Sequence, residues 1–393
     1  MKPAATALLL AALACAPRVE PAPVPLAQRP DWRPLRHFLD SAVAAGAAPG
    51  VVVAISWPGH RYVYGTGHLG DGLRRRPNHR TVYDLASLTK VVGLTTAMMW
   101  AVEEGRIELD APVSRYVPAF QPPEPDRVTI RQLLAHASGL PPWRPLYLLA
   151  YSRPAVFAVA DSTPLDTMPG ARFAYSDIGA ILLTQAVETA YGERIDSLLT
   201  RRLFRPLGMT STAYNPPGAW MSRIAPTEYD SLRGRIIRGQ VHDENAWRMD
   251  GVSGHAGIFS TGDDLLTFGE WWIAQHRGAG ANAGPPTVSD SILRAFAVPQ
   301  ELPAGSPRAL GWEVPTEENT GSGFLSAGSV GHTGFTGTSI WMDPTRGVVI
   351  VVLANRVHPT RANTRFAGVR RGVGDRVLTA LVPQLQATAA PAR

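Results

Sequence analysis

The run VVIVVLA, Val348 to Ala354, contains no polar side chain. It is too short to cross a bilayer and too apolar on both faces for a surface strand, so it reads as a buried central strand. The stretch before it, TSIWMDPTRG, makes it one arm of a hairpin turning between Asp343 and Gly347. Far upstream, GVVVAISWPGHRYVYGTG reads as a second hairpin around Pro58-Gly59. Between these ends the chain is mostly helical in pattern. SLTKVVGLTTAMMWAVEEG has apolar residues at helical spacing and stops at Gly105. SDIGAILLTQAVETAYG starts at Ser176 or Asp177 and stops at Gly192, and STGDDLLTFGEWWIAQH opens with a capping pattern from Thr261 to Asp264. The expected fold is α/β of the α+β type. An antiparallel sheet is built from both chain ends and flanked by helices, with a helical region inserted between them.

The N-terminus reads as an export signal over residues 1–15. Lys2 supplies the positive region, ALLLAALA the apolar one, and small residues precede Cys15. Cys15 is the only cysteine, which excludes an internal disulfide and a Cys-based metal site. Its place after Ala12-Leu13-Ala14 is similar to a bacterial lipoprotein site, with Ala12 where a larger aliphatic residue is usual; plain cleavage after Ala14 is the alternative. Residues 16–31 are Pro-rich and suit an extended tether, 32–385 form the single folded domain, and 386–393 a flexible tail. The expected location is the cell envelope or periplasm, with a membrane reached only through the lipid. A net charge of +6 is basic without being extreme. The densest run, Arg74 to Arg76, has no nucleic-acid motif beside it, so it reads as a solvated loop and no nucleic-acid partner is expected. Nothing here sets an oligomeric state.

The 38 basic residues include two lysines, Lys2 and Lys90; the other 36 (38 less 2) are arginines. A guanidinium keeps its proton at any ordinary pH, whereas a lysine can lose one and act as a base. Ser87 precedes Lys90 by three residues, one turn apart on the same helix face, and it falls at a helix start, where free N–H groups favour a developing anion. A neutral Lys90 could then activate Ser87 as a nucleophile.

Two further segments complete a pattern. FAYSDIG places Tyr175 at the end of a loop before a helix, and GHTGFTGTSIW runs from Gly331 into a strand, with Gly334 and Gly337 leaving the backbone open to a ligand. With SLTK these resemble the three active-site motifs of serine β-lactamases and penicillin-binding proteins, in the class C branch with its esterase and DD-peptidase relatives. LLAHASGL and GVSGHAGIFSTGDDL look like the same branch. The resemblance implies that Ser87 is acylated and that Lys90 and Tyr175 share general-base and general-acid work. It also implies that the backbone N–H groups of Ser87 and Phe335 form the oxyanion hole. His332 and Thr333 would line the side that receives a substrate carboxylate, and Asp177, Gly334 and Phe335 would complete the substrate-binding set. No cofactor and no metal are implied.

Two departures from the branch pattern matter. Asp177 stands where Asn is usual: it would hold Lys90 charged, or be protonated itself, or simply cap the helix. His332 stands where true β-lactamases commonly have lysine, which points away from a dedicated β-lactamase. His136 reads as a turn brace, the HDEN stretch at His242 to Asn245 as loop-bracing rather than a metal site, His255 as structural at a possible pocket rim, and Trp271 and Trp272 as core. The implied function is a serine hydrolase working through an acyl-enzyme on cell-wall peptides ending in D-alanine, as a DD-carboxypeptidase or endopeptidase, or on β-lactams. An esterase or weak β-lactamase is the alternative within the class. A penicillin or peptidoglycan sensor that is acylated without turnover is the non-enzymatic one.

Overall fold

The computed structural model describes residues 29–70, 72–122, 127–280, 287–316 and 325–389. The export signal, Cys15 and the tether up to residue 28 therefore lie outside the described residues. The apolar run Val348–Ala354 occupies the middle of a five-stranded antiparallel sheet. In chain order the strands are β1 (Gly50–Trp57), β2 (His60–Gly67), β3 (Val330–Thr333), β4 (Ser339–Asp343) and β5 (Val348–Ala354), and across the sheet they run β2-β1-β5-β4-β3. β1 pairs directly with β5, Val51 facing Ala354 and Ser56 facing Val349, so the two ends of the chain close on each other. Both expected hairpins form, Trp57 opposing His60 around Pro58-Gly59 and Val348 opposing Asp343. Val330–Thr333, unmarked by any strand pattern in the sequence, is an edge strand of its own, paired with β4.

Both faces of the sheet are covered, which is why β1 and β5 carry no polar alternation. Helices α1 (Arg33–Ala44) and α5 (Val369–Ala389) belong to one face. There Leu35, Leu39, Val373 and Val377 form a core with Val51, Val53, Ile55 and Val352. The alternate residues Val52, Ala54, Val349 and Val351 join the larger core with Leu265, Phe268 and Trp272 of α4 (Gly262–His276). Thr261 caps α4 by accepting the Asp264 N–H. Helix α5 runs on to Ala389, four residues past the domain boundary expected at 385; residues 390–393 lie outside the described residues.

The inserted region holds α2 (Thr96–Glu103) and α3 (Asp177–Tyr191). The sequence pattern around α2 implied one regular helix. The chain instead turns helical at Leu88, passes through a π-helical stretch over Lys90–Thr95, and only then becomes α2. Such widened turns concentrate at functional sites, because they re-aim a side chain that a regular α-helix would place elsewhere. A short second sheet, Tyr83–Asp84 with Ile258–Ser260 and Ala213–Tyr214, leads the chain into this helix.

Candidate active site

The segment before Ser87 is pinned from several sides. The buried Asp84 carboxylate accepts the Ala86 N–H at 2.8 Å and the His242 N–H at 2.6 Å. Thr336 Oγ1 donates to the Asp84 carbonyl at 2.8 Å, and Thr338 Oγ1 to the Leu85 carbonyl at 2.9 Å. Ala86 itself sits at φ 47°, a left-handed backbone that a non-glycine residue keeps only where its surroundings impose it. The turn after β3 is thus fastened to the strand before Ser87, which brings two motifs far apart in sequence to one place.

Gly334 belongs to this fastening. A Cβ there would stand 2.1 Å from Thr338 Oγ1 and 2.4 Å from the Leu85 carbonyl oxygen. The glycine expected to open the backbone to a ligand instead lets the turn approach the segment behind Ser87. The residue still lines the pocket.

Ser87 and Lys90 meet as their spacing requires, Lys90 Nζ donating to Ser87 Oγ at 2.9 Å and to the His255 carbonyl at 3.1 Å. The third neighbour of Nζ is Asp177, with Oδ1 at 2.7 Å. Burial opposes charge on this amine, but Asp177, and Tyr175 after it, outweigh burial and leave its pKa raised. This corrects the expectation of a neutral resting amine. Of the three readings of Asp177, the structure selects the ion pair. The capping role belongs to Ser176, whose Oγ accepts the Gly179 N–H.

Tyr175 is held from behind by His136, a brace as expected. His136 has φ 55°, its Nδ1 accepts the Ser176 N–H at 3.0 Å, and its ring lies 4.5 Å from that of Tyr175. Burial, with Arg308 and Lys90 nearby, holds His136 neutral, which leaves Nδ1 free to accept. Lys90 Nζ lies 5.0 Å from the Tyr175 ring centre. The phenol Oη makes no well-formed hydrogen bond, although Lys90 and Ser87 both act on it. Burial raises its pKa further than Lys90 lowers it, so Tyr175 rests as a neutral phenol.

Ser87, Tyr175 and Asp177 open into a pocket of about 680 Å³. His332, whose ring centre lies 5.8 Å from that of Tyr175, is 1 % exposed, with Nδ1 2.7 Å from the Thr333 carbonyl, to which it donates, and Nε2 without a partner. Burial first, then Arg308 and Lys90, push its pKa well below the ordinary imidazole value. The ring therefore rests as a neutral acceptor on the pocket wall. Thr333 lines the pocket beside it, and Phe335 stands at the rim between the His242 ring and the Arg356 guanidinium.

The cations of this pocket are residues the sequence reading did not single out. Arg308 lies over the rings of Phe173 and Tyr175 and pairs through Nη2 with Glu313 at 3.1 Å; its buried Nη1 has no partner. Arg370 donates Nη2 to the Gly334 carbonyl at 2.6 Å, and its Nε is unpartnered. Burial, then Arg356, bring Arg370 down to about 10, still charged at neutral pH. Neither arginine sits at a fixed spacing from a motif, and 36 arginines dilute any compositional signal. His255 does rim the pocket, its ring held between Ser253 Oγ at 2.7 Å and Asp243 Oδ1 at 2.8 Å. The HDEN stretch braces: His242 bonds Glu228 at 2.8 Å, and Asn245 bonds the Arg144 carbonyl. Trp271 and Trp272 are core.

The model of the family described as Beta-lactamase matches residues 35–373. The chain belongs to this family. Within it the chain is 30 % identical to a Salmonella schwarzengrund protein named "Putative D-alanyl-D-alanine carboxypeptidase", across 80 % of this chain and 78 % of that one. The fold is similar to that of a penicillin-binding protein homologue from Caulobacter crescentus, with a TM-score of 0.72 at 19 % identity, covering 90 % of this chain and 98 % of that one. It is also similar to EstCE1, a hydrolase with promiscuous acyltransferase activity, with a TM-score of 0.68 at 19 % identity and coverage of 87 % and 98 %. As a member of the Beta-lactamase family, the protein is a serine hydrolase.

Proposed function

We propose that the protein cleaves peptides that end in a free carboxylate, as a DD-carboxypeptidase does, through an acyl-enzyme on Ser87. The observation that carries this reading is a pair of arginines, Arg308 and Arg370, that line the same pocket as Ser87, each with a buried guanidinium nitrogen that has no partner, Nη1 in Arg308 and Nε in Arg370. Buried donors left unpaired cost stability unless a ligand satisfies them, and a planar guanidinium matches a carboxylate in shape and charge. The name of the Salmonella relatives agrees with such a substrate. In this scheme Ser87 Oγ attacks the scissile carbonyl, the N–H groups of Ser87 and Phe335 receive the oxyanion, and the Tyr175 phenol serves as a proton donor near the leaving group.

Ester cleavage at the same serine is the second reading. The rim exposes Trp143 and Phe335 at 45 % and 48 %, a surface for an apolar acyl or alcohol group. We also propose that the protein is exported and lipid-anchored at Cys15, in keeping with substrates of the cell wall.

The test follows the intact mass of the protein during incubation with a fluorescent penicillin, with an acyl-D-Ala-D-Ala peptide, and with the same peptide amidated at its C-terminus. A transient adduct on Ser87 and cleavage of the free-acid peptide far faster than the amide are expected. Equal cleavage of acid and amide would remove the carboxylate from the reading. A permanent adduct without turnover would make the protein a sensor.

A further inference from the structure

We propose that Asp177 is the final acceptor of the Ser87 proton, with Lys90 as a relay that keeps its charge. The proposal rests on the reading of Ser87 as the acylated nucleophile and goes beyond it by naming where the proton ends. Apart from the Tyr175 phenol, which also acts on it, Lys90 Nζ has three close oxygen neighbours, Ser87 Oγ, the His255 carbonyl and Asp177 Oδ1, at 2.9, 3.1 and 2.7 Å. An ammonium has no lone pair, so it cannot take the serine proton unless it releases another. Of the three oxygens, the carbonyl cannot hold a proton and the hydroxyl is the group being deprotonated. Asp177 remains. The other candidate base, Tyr175, rests as a buried phenol. The angle at the Lys90–Asp177 contact falls outside hydrogen-bond geometry, a slack common in active sites without substrate, where catalytic contacts tighten on binding.

The step balances. As Ser87 Oγ bonds to the substrate carbonyl carbon, its O–H breaks and that proton passes to Nζ. One of the ammonium protons passes to Asp177 Oδ1, and the carbonyl π pair becomes the oxyanion. When the intermediate collapses, the bond to the leaving group breaks, the leaving atom takes a proton from the Tyr175 phenol, the phenol recovers one from Nζ, and Nζ recovers one from Asp177. Lys90 is a cation at both ends of each step.

A relay of this kind exchanges no proton with solvent, so acylation is insensitive to pH while the pair stays intact. With Asp177→Asn the relay has no end. Lys90 must then first lose a proton to water, and the rate climbs with pH. The charged and titratable groups facing the pair are Tyr175 beside Asp177, His255 with Asp243 behind it, and His136, His332 and Arg308 around the Tyr175 ring. Burial holds both His136 and His332 neutral, and burial keeps Tyr175 protonated. His255 opposes burial and holds Asp243 anionic well below the usual carboxylate range.

The experiment measures single-turnover acylation by p-nitrophenyl acetate from about pH 6.5 to 10, with Ser87→Ala as the background. The unmutated protein should be flat within about 3-fold up to pH 9. Asp177→Asn should be slower by about 100-fold at pH 7, the low end for a lost acid–base partner, and recover about tenfold per pH unit. Circular dichroism checks its fold. Should that variant not fold, Asp177→Glu keeps a carboxylate and must stay flat at a reduced rate; a rising profile in it overturns the relay. Parallel profiles in the unmutated and Asn proteins overturn the relay while leaving the acyl-enzyme intact, and so does a folded Asn variant inert at pH 10. Absence of any Ser87-dependent acylation in the unmutated protein overturns both.

Discussion

Replacing Arg308 by Gln tests whether the pocket reads a carboxylate. The guanidinium has a buried nitrogen without a partner, Nη1, while Nη2 pairs with Glu313. A hydrogen bond to a charged partner contributes about 1.5–3 kcal/mol, so its loss should lower kcat/KM for a free-acid peptide by roughly 10- to 150-fold. Hydrolysis of p-nitrophenyl acetate, which has no carboxylate to offer, should change by less than about 3-fold. One complication is built into the structure: Arg308 and Glu313 have side-chain exposures of 13 % and 12 %, so the single variant strands a buried Glu313. Breaking a buried pair from one side costs about 3–5 kcal/mol of stability. The double variant Arg308→Gln with Glu313→Gln removes that penalty and should show the same selective loss in a better-folded protein. Because His332 is held neutral, the peptide rate in the unmutated protein should not fall with an imidazole-like step near pH 6.5. Equal losses for peptide and ester in the double variant would refute the reasoning.

Lys90→Arg should reduce acylation by about 10³-fold, since a guanidinium does not pass a proton on; rapid-quench mass spectrometry giving a near-normal rate would contradict it. Gly334→Ala should cost about 1–3 kcal/mol in a denaturant titration and slow acylation too, because the new Cβ presses on the Leu85 carbonyl and Thr338; a variant unchanged in both would be incompatible with that packing. Asp161 is buried, its Oδ1 lacks a partner, and burial raises it to about 6 from 3.8. The unfolded carboxyl loses its proton near pH 4 and the folded one near 6, so between these values the unfolded state holds fewer protons and stability falls as pH rises. Asp161→Asn should therefore stabilise the fold above pH 6 by up to about 3 kcal/mol and have no such effect at pH 4, as thermal melts at both pH values would register. On the proposed export and lipid anchor, Cys15→Ala should release the protein from the membrane fraction; finding the unmutated protein already soluble after fractionation would refute the anchor.

What the sequence determined by itself was whatever depends on neighbours along the chain. The hairpins at Pro58-Gly59 and Asp343 to Gly347, the cap at Thr261 and the stop at Gly192 are all decided within a few residues, by backbone preference and side-chain period. The Ser87–Lys90 contact belongs to the same class, because three residues of helix bring the hydroxyl to the amine whatever the rest of the fold does. Charge states were not legible, because each depends on segments that only the fold brings together. Lys90 is charged through Asp177, at the start of a helix reached only by tertiary packing, and the sequence could offer that ion pair only as one reading among three. His332 is neutral because its strand is covered, and its edge position was itself unseen. Gly334 faces Leu85, not a ligand, because the turn carrying it is fastened behind Ser87. Arg308 and Arg370 reach the pocket from two unrelated segments and leave no local pattern. Residue types name the chemistry a chain can do; burial and distance, which sum over the whole fold, decide which protons are present to do it.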